Sequence, residues 1–181
     1  MTTTPPRILL GVTGSVAAHR ALDLTSEWTK AGREVDVLLT KAAQEFIRPL
    51  AFQALSRRKV FVDLFEAPGE EAHDHIRLAE AADLFVVAPC SADALARFAA
   101  GLCDDVLTTT LYVYRGPRLI CPAMNRRMWE NPITARNVAT LRGLGFAFVD
   151  PCEGELACGD HGVGRLAPIA DILARADALL R

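Results

Sequence analysis

Two periods of hydrophobicity alternate along the chain. Arg7–Thr13 (RILLGVT), Glu34–Leu39 (EVDVLL), Leu84–Ala88 (LFVVA), Arg118–Cys121 and Phe146–Val149 are short apolar runs rich in β-branched residues. Near-continuous runs of this length belong to strands covered on both faces. A shorter run of the same kind spans Val60–Leu64. Between the runs lie stretches with helical spacing: Val16–Ala31 closed by Gly32, about Ala42–Ser56 broken at Pro49, His75–Ala82, Ala92–Ala100, Asp104–Tyr112, and Asn131–Leu144 closed by Gly145. A last helix is predicted over Pro168–Arg181, with Pro168 suited to its first turn. Two segments fit neither period: Glu66–Asp74, polar and Gly/Pro-bearing, reads as an exposed loop, and Gly154–Arg165, with four glycines, reads as a flap. Strands alternating with helices define an α/β class with a doubly wound parallel sheet. No repeat, linker or low-complexity tract divides it, so residues 1–181 are expected to form a single domain.

Composition narrows the function classes. A formal net charge of -2 gives no electrostatic reason to expect nucleic acid. No apolar run approaches the ~20 residues of a membrane span, and the start MTTTPPRILLGVTG lacks the basic region and longer apolar run of a signal peptide. The five cysteines (Cys90, Cys103, Cys121, Cys152, Cys158) are odd in number and scattered, which suits free thiols in a reducing compartment, hence a cytoplasmic protein. The hydrophobic fraction of 51% exceeds what one well-filled core explains and points to buried subunit interfaces.

In a flavodoxin/Rossmann-like sheet, ligands bind beyond the carboxyl ends of the strands. Three loops lie there: Gly14-Ser15-Val16, Thr40-Lys41-Ala42 and Pro89-Cys90-Ser91-Ala92-Asp93. The first joins a glycine, a hydroxyl and a helix N-terminus, a combination suited to phosphate, although an ordinary strand-to-helix turn with a serine cap would look the same. A dinucleotide site fits less well. The run Gly11-Val12-Thr13-Gly14-Ser15-Val16-Ala17 is not G-x-G-x-x-G, and the second strand ends in Thr40-Lys41 where an NAD site places an acid for the ribose. A mononucleotide such as FMN, its one phosphate held by Ser15 and Thr40, fits better.

Three further segments carry chemistry. Pro122–Trp129 (PAMNRRMW) places an amide, two thioethers and an indole after a buried strand. Asp74-His75-Ile76 sets an imidazole at a helix start, and Leu156–Gly162 (LACGDHG) sets a thiol in the glycine-rich flap. Each has a plainer reading: His75 as a helix residue without a task, Asn125 as a cap, and Met124, Met128 and Trp129 as core. Cys152, Cys158 and His161 could form part of a metal site, but a fourth ligand and a paired C-x-x-C are missing.

Taken together and in order, Gly14-Ser15-Val16-Ala17-Ala18, Leu39-Thr40-Lys41, His75-Ile76, Ala88-Pro89-x-Ser91-Ala92, Gly101-Leu102-Cys103-Asp104, Pro122–Trp129 and Ala157-Cys158-Gly159-Asp160 resemble the flavin-containing cysteine decarboxylases over essentially the whole chain. The resemblance is strongest to members that act on a small phosphorylated cysteine conjugate in coenzyme A biosynthesis. It implies FMN contacts at Gly14, Ser15, Val16, Thr40, Lys41, Ala42, Ser91, Ala92, Asp93 and Ala123. It implies that Asn125 holds the substrate carboxylate with Met128 and Ala157 beside the substrate, that His75 is the active-site base, and that Cys158 donates a proton late in the cycle. It also implies a homotrimer, or a multiple of trimers, with FMN where subunits meet, and no metal. Two departures stand out: Asp93 replaces an Asn usual in the family's flavin loop, and Glu80-Ala81 replaces a bulkier pair. Some bacterial relatives are fused to the synthetase that makes the substrate; with this chain ending at Arg181, that enzyme is expected to be a separate protein.

The chemistry explains why such residues would be needed. Losing CO2 from an ordinary cysteine leaves a carbanion with nothing to delocalise it. Oxidation of the thiol carbon to a thioaldehyde places the carboxylate β to a C=S that accepts the electrons, and flavin can accept the hydride. His75 is a candidate base for the thiol proton, histidine being the side chain most often used for general base catalysis. The enethiolate left by decarboxylation is then either reduced and protonated, with Cys158 as donor, or released as an oxidised product. Two other functions share the resemblance: oxidative decarboxylation of a peptide C-terminal cysteine, and a non-catalytic flavin-binding regulator. A flavin prenyltransferase shares the architecture but is disfavoured by the Pro122–Trp129 segment.

Overall fold

The computed structural model describes residues 5–64, 74–157 and 159–181. Six strands form one parallel sheet in the order β3-β2-β1-β4-β5-β6: β1 (Arg7–Val12), β2 (Glu34–Leu39), β3 (Val60–Phe61), β4 (Leu84–Cys90), β5 (Arg118–Pro122) and β6 (Ala147–Phe148). This is the doubly wound, Rossmann-like order, with its reversal point between β1 and β4. Alternation along each strand feeds two cores. Ile8, Leu10, Val12, Val35, Val37 and Val86 face one side, where α1 (Arg20–Lys30), α2 (Pro49–Ser56) and α8 (Ile169–Leu179) contribute Trp28, Phe52 and Ile172. Leu9, Leu38, Phe85 and Val87 face the other, covered by α3 (Asp74–Ala81), α4 (Ala92–Ala100), α5 (Val106–Val113) and α7 (Pro132–Gly143) through Leu78, Leu95, Leu107 and Leu141. Both faces being covered accounts for the apolar runs read from the sequence.

Local signals set most helix ends. Ser91 caps α4 by accepting from Ala94 N, and Gly101, in the left-handed region at φ 71°, closes it. Asp105 and Thr108 form a capping box that starts α5 two residues later than the apolar spacing suggests. Val16–His19 is a 3-10 turn leading into α1, and Pro168 stands at the N-cap position of α8, one residue outside the first turn expected for it and without a side-chain cap.

Two elements were not legible in the sequence. The flap is an antiparallel hairpin of β7 (Cys152–Glu155) and β8 (His161–Arg165), and Arg126–Trp129 forms a one-turn helix, α6. The polar loop expected to begin at Glu66 lies outside the described residues as far as residue 73, as does Cys158.

The sheet also holds one buried charge. Asp36, on β2, is 2% exposed and accepts from Arg7 Nε at 2.5 Å and Arg58 Nε at 2.7 Å, which ties β1, β2 and the segment after α2 together. A carboxylate in that position requires such partners.

Candidate active site

The carboxyl ends of β1, β2 and β4 are fastened to one another before any ligand is considered. Thr13, fully buried, donates its hydroxyl to Pro89 O and accepts from Ser91 N, both at 2.8 Å. The Ala88–Pro89 peptide bond is cis. Thr40 N donates to Val12 O at 3.1 Å, and the Thr40 hydroxyl accepts from Ala43 N at 3.1 Å. Gly14 then passes so close to the loop after β2 that a Cβ there would lie 2.6 Å from Ala42 Cβ.

These loops wall a cavity of about 650 Å3, within the size range of small-molecule sites. Gly14, Thr40, Lys41, Ala42, Ser91, Ala92 and Asp93 line it, and so does Met128. Three of the expected flavin contacts stand beside it instead. The Ser15 hydroxyl accepts from Ala17 N and donates to Ala123 O at 3.2 Å, joining the loops after β1 and β5, while Val16 is exposed. Sequence reasoning passed over several wall residues. Thr13, Arg97, Asp104, Asp105 and Thr108 also line the cavity; the Gly101–Asp104 motif had pointed to the right segment without assigning it a place.

The donor set suits a phosphorylated planar ligand. Threonine and serine hydroxyls, the N-terminal end of α4 and the Lys41 ammonium surround a space with apolar wall from Leu107, Phe98 and Met128. Its charge is mixed: Lys41 and Arg97 face Glu45, Asp93, Asp104 and Asp105. Arg97 Nε donates to Asp93 at 2.8 Å and its Nη1 to Asp104 at 2.5 Å. These bonds raise the guanidinium pKa and hold the Asp104 carboxyl below its usual range. Cys90 is buried behind Ser91, and burial pushes its thiol pKa well up, as it does for Cys121. Both thiols therefore stay protonated at neutral pH and are poor candidates for proton transfer.

The expected substrate residues occupy a second layer. Asn125 caps α6, its Oδ1 accepting from Arg127 N at 2.9 Å, so the cap reading holds and the bond fixes the orientation of the amide. The hairpin lies directly on this segment. Met124 N donates to Gly164 O at 2.9 Å, and a Cβ on Gly164 would fall 2.3 Å from Met124 O. A Cβ on Gly162 would fall 2.4 Å from Arg126 Cδ. At Gly164, where the neighbours are backbone atoms, only glycine permits that approach. At the hairpin tip Leu156 N donates to Asp160 O, and Ala157 is exposed. His75 sits half-buried in the first turn of α3 and is not among the residues lining the cavity. Among the described residues no group of three His, Cys, Asp or Glu side chains is placed to hold a metal ion.

Comparison with known proteins agrees with this architecture. The Flavoprotein family model matches residues 2–181, and the chain belongs to that family. It is 46% identical over 160 residues to the coenzyme A biosynthesis bifunctional protein CoaBC of Vibrio vulnificus, covering 88% of this chain and 40% of that one. The chain thus spans about 40% of the length of such bifunctional relatives. It is 42% identical to a probable phosphopantothenoylcysteine decarboxylase of Streptococcus mutans, with 96% of this chain and 98% of the relative covered. Among solved structures, a Cys-to-Ser mutant of PPC decarboxylase complexed with pantothenoylaminoethenethiol superposes with a TM-score of 0.86 at 32% identity, covering 96% of this chain and 97% of that one. The FMN-dependent cysteine decarboxylase SpaF superposes with a TM-score of 0.84 at 28% identity, covering 98% of each chain.

Proposed function

We propose that this protein is an FMN-dependent decarboxylase that converts phosphopantothenoylcysteine to phosphopantetheine in coenzyme A biosynthesis. The observation that carries the reading is the phosphate-suited cavity at the ends of β1, β2 and β4, in a chain similar along its full length to a decarboxylase of that substrate. Bound FMN supplies the two-electron redox chemistry that ordinary side chains lack. Gly14, Ser15, Val16, Thr40, Lys41, Ala42, Ser91, Ala92, Asp93 and Ala123 would hold it.

The remaining work falls to the chain. His75 takes the substrate thiol proton as the thioaldehyde forms. The Asn125 amide, its Oδ1 anchored on Arg127 N, presents its NH2 end to the departing carboxylate, with Met128 and Ala157 alongside. The hairpin closes over this segment through Gly162 and Gly164, excluding water while CO2 leaves. Cys158 then gives its proton to the enethiolate carbon, and with the hydride taken in the first step returned from the flavin the saturated amine thiol would result.

His75 lies on α3, away from the lining of its own cavity. We therefore read the active assembly as a homotrimer or multiple of trimers in which a neighbouring chain supplies it. Apolar side chains left exposed on the single chain, Tyr112 (68%), Val16 (57%) and Leu102 (49%) among them, support burial between copies. No helix among the described residues is long and apolar enough to cross a membrane; the scattered, odd-numbered cysteines support a cytoplasmic enzyme. A second reading keeps cysteine decarboxylation, the activity for which SpaF is named, but on a cysteine carboxylate at a peptide end.

Cys158→Ser separates the steps. Serine is nearly the same size but a far weaker acid than a thiol of pKa about 8.5. Oxidation and CO2 loss should proceed and the last protonation should fail, so mass spectrometry should find a product two hydrogens lighter than the normal amine thiol. Normal product at the normal rate would remove Cys158 from the mechanism.

A further inference from the structure

The cavity poses an electrostatic problem. Its charged lining is Lys41 and Arg97 against Glu45, Asp93, Asp104 and Asp105, an acidic balance around a site read as holding a phosphate monoester of charge about -1.5 to -2. Asp105 is partly offset by its own role: its carboxylate caps α5, accepting from Thr108 N at 2.7 Å at the positive end of that helix. Glu45 has no such partner within the cavity wall. Asp93 and Asp104 share one cation, Arg97, which donates from Nε to the first at 2.8 Å and from Nη1 to the second at 2.5 Å.

We propose that Arg97 is a charge-balancing positioning residue of the flavin site, bridging Asp93 and Asp104 so that an anionic mononucleotide can enter a cavity whose lining carboxylates outnumber its cations. The inference rests on the flavin reading and adds to it a residue that neither composition nor motif had assigned. The planar fork of arginine suits the task, because two of its nitrogens can serve two carboxylates at once. The bridge also spans two elements, α4 and the segment before α5, so it sets the width of the cavity on that side. It is not a stability device. Both carboxylates are exposed to water, Asp93 to 74% and Asp104 to 56%, with Arg97 half-buried between them, and ion pairs this open to solvent add little to folding. The effect belongs to ligand affinity, because removing the one positive charge between Asp93 and Asp104 leaves two carboxylates uncompensated in the wall of a site read as holding a dianion.

The test is a cycle of variants read by FMN affinity, measured from the quenching of flavin fluorescence on titration of apoprotein, with thermal melting of each apoprotein alongside. Arg97→Met should weaken FMN binding about tenfold while leaving the apoprotein melting temperature unchanged. Arg97→Lys, which keeps the charge, should stay within about threefold of wild type. Adding Asp93→Asn to Arg97→Met should recover most of the lost affinity, since the acid that Arg97 offsets is then gone. Unchanged affinity in Arg97→Met, or a double variant no tighter than that single one, would overturn the inference while leaving the flavin reading intact. A fall in affinity matched by an equal fall in apoprotein stability would make Arg97 merely structural and overturn it too. Wild-type apoprotein that binds no FMN at all would overturn the flavin reading, and this inference with it.

Discussion

Gly14 offers a quantitative test of how the cofactor end of the cavity is built. Its φ is not in the left-handed region, so alanine there meets no backbone strain, only a neighbour: Ala42 Cβ at 2.6 Å, with Ala42 C and O at 3.3 and 3.4 Å. Carbon atoms pack best at about 3.5–4.0 Å, so Gly14→Ala must push the loops after β1 and β2 apart by about 1 Å. Overpacking of this kind costs about 1–3 kcal/mol. Part is offset in the apoprotein by the smaller unfolded-state entropy of alanine, about 0.4–1 kcal/mol, and part is relieved because Ala42 lies on an exposed loop. In the flavin complex the loops must return to their places, so the cost appears in affinity, as ~5- to 150-fold in Kd for FMN. Ala42→Gly should itself be mild. In the double variant Gly14→Ala/Ala42→Gly the Cβ–Cβ clash is gone and the nearest remaining contacts are those at 3.3 and 3.4 Å, so affinity should return to within a few-fold of wild type. The assay is flavin fluorescence titration of the four apoproteins. Additive effects of the two substitutions, or wild-type affinity in Gly14→Ala, would refute the close approach as the reason for glycine.

Two further expectations follow from other residues. His75→Asn should abolish CO2 release while the protein stays yellow with FMN bound, because the imidazole acts on the substrate and not on the cofactor; turnover near the wild-type rate, measured on the flavin-loaded variant, moves the base elsewhere. Asp36→Ala leaves the Arg7 and Arg58 guanidiniums facing a buried strand, and should cost about 3 kcal/mol, the low end for a broken buried pair because both arginines keep partial access to water. For a chain of this size that is a fall of about 6–12 °C in the melting temperature, and a calorimetric change under 2 °C speaks against the network as a structural element.

The fold was legible because each core strand is covered on both faces. Leu84–Ala88 and Glu34–Leu39 read as strands from their apolar runs, and Ala92–Ala100 read as the helix that Ser91 and Gly101 are found to cap. The hairpin was not legible. Four glycines in Gly154–Arg165 suppress strand propensity, yet two of them, Gly162 and Gly164, are where β8 lies against the Met124–Arg126 segment, a tertiary demand that no local pattern carries. For the same reason α6 was missed: four residues hold too little periodicity, and Asn125 announces a cap only once the turn is seen. The cavity wall from α5 was hidden differently. Asp104, Asp105 and Thr108 read as a helix start, and it is the packing of α4 beside α5 that turns that helix start toward the site. Arg97 belonged to the exposed face of a helix in the sequence; its place between two carboxylates depends on a residue seven positions away across a loop.

The central claim is a redox-neutral decarboxylation, and anaerobic turnover tests it most directly. FMN-loaded protein given excess phosphopantothenoylcysteine without oxygen should release CO2 over many turnovers, with saturated phosphopantetheine formed in equal amount. Release that stops after one equivalent per flavin and resumes only when oxygen is admitted would contradict the account, as would no release from this substrate alongside release from a cysteine-ended peptide.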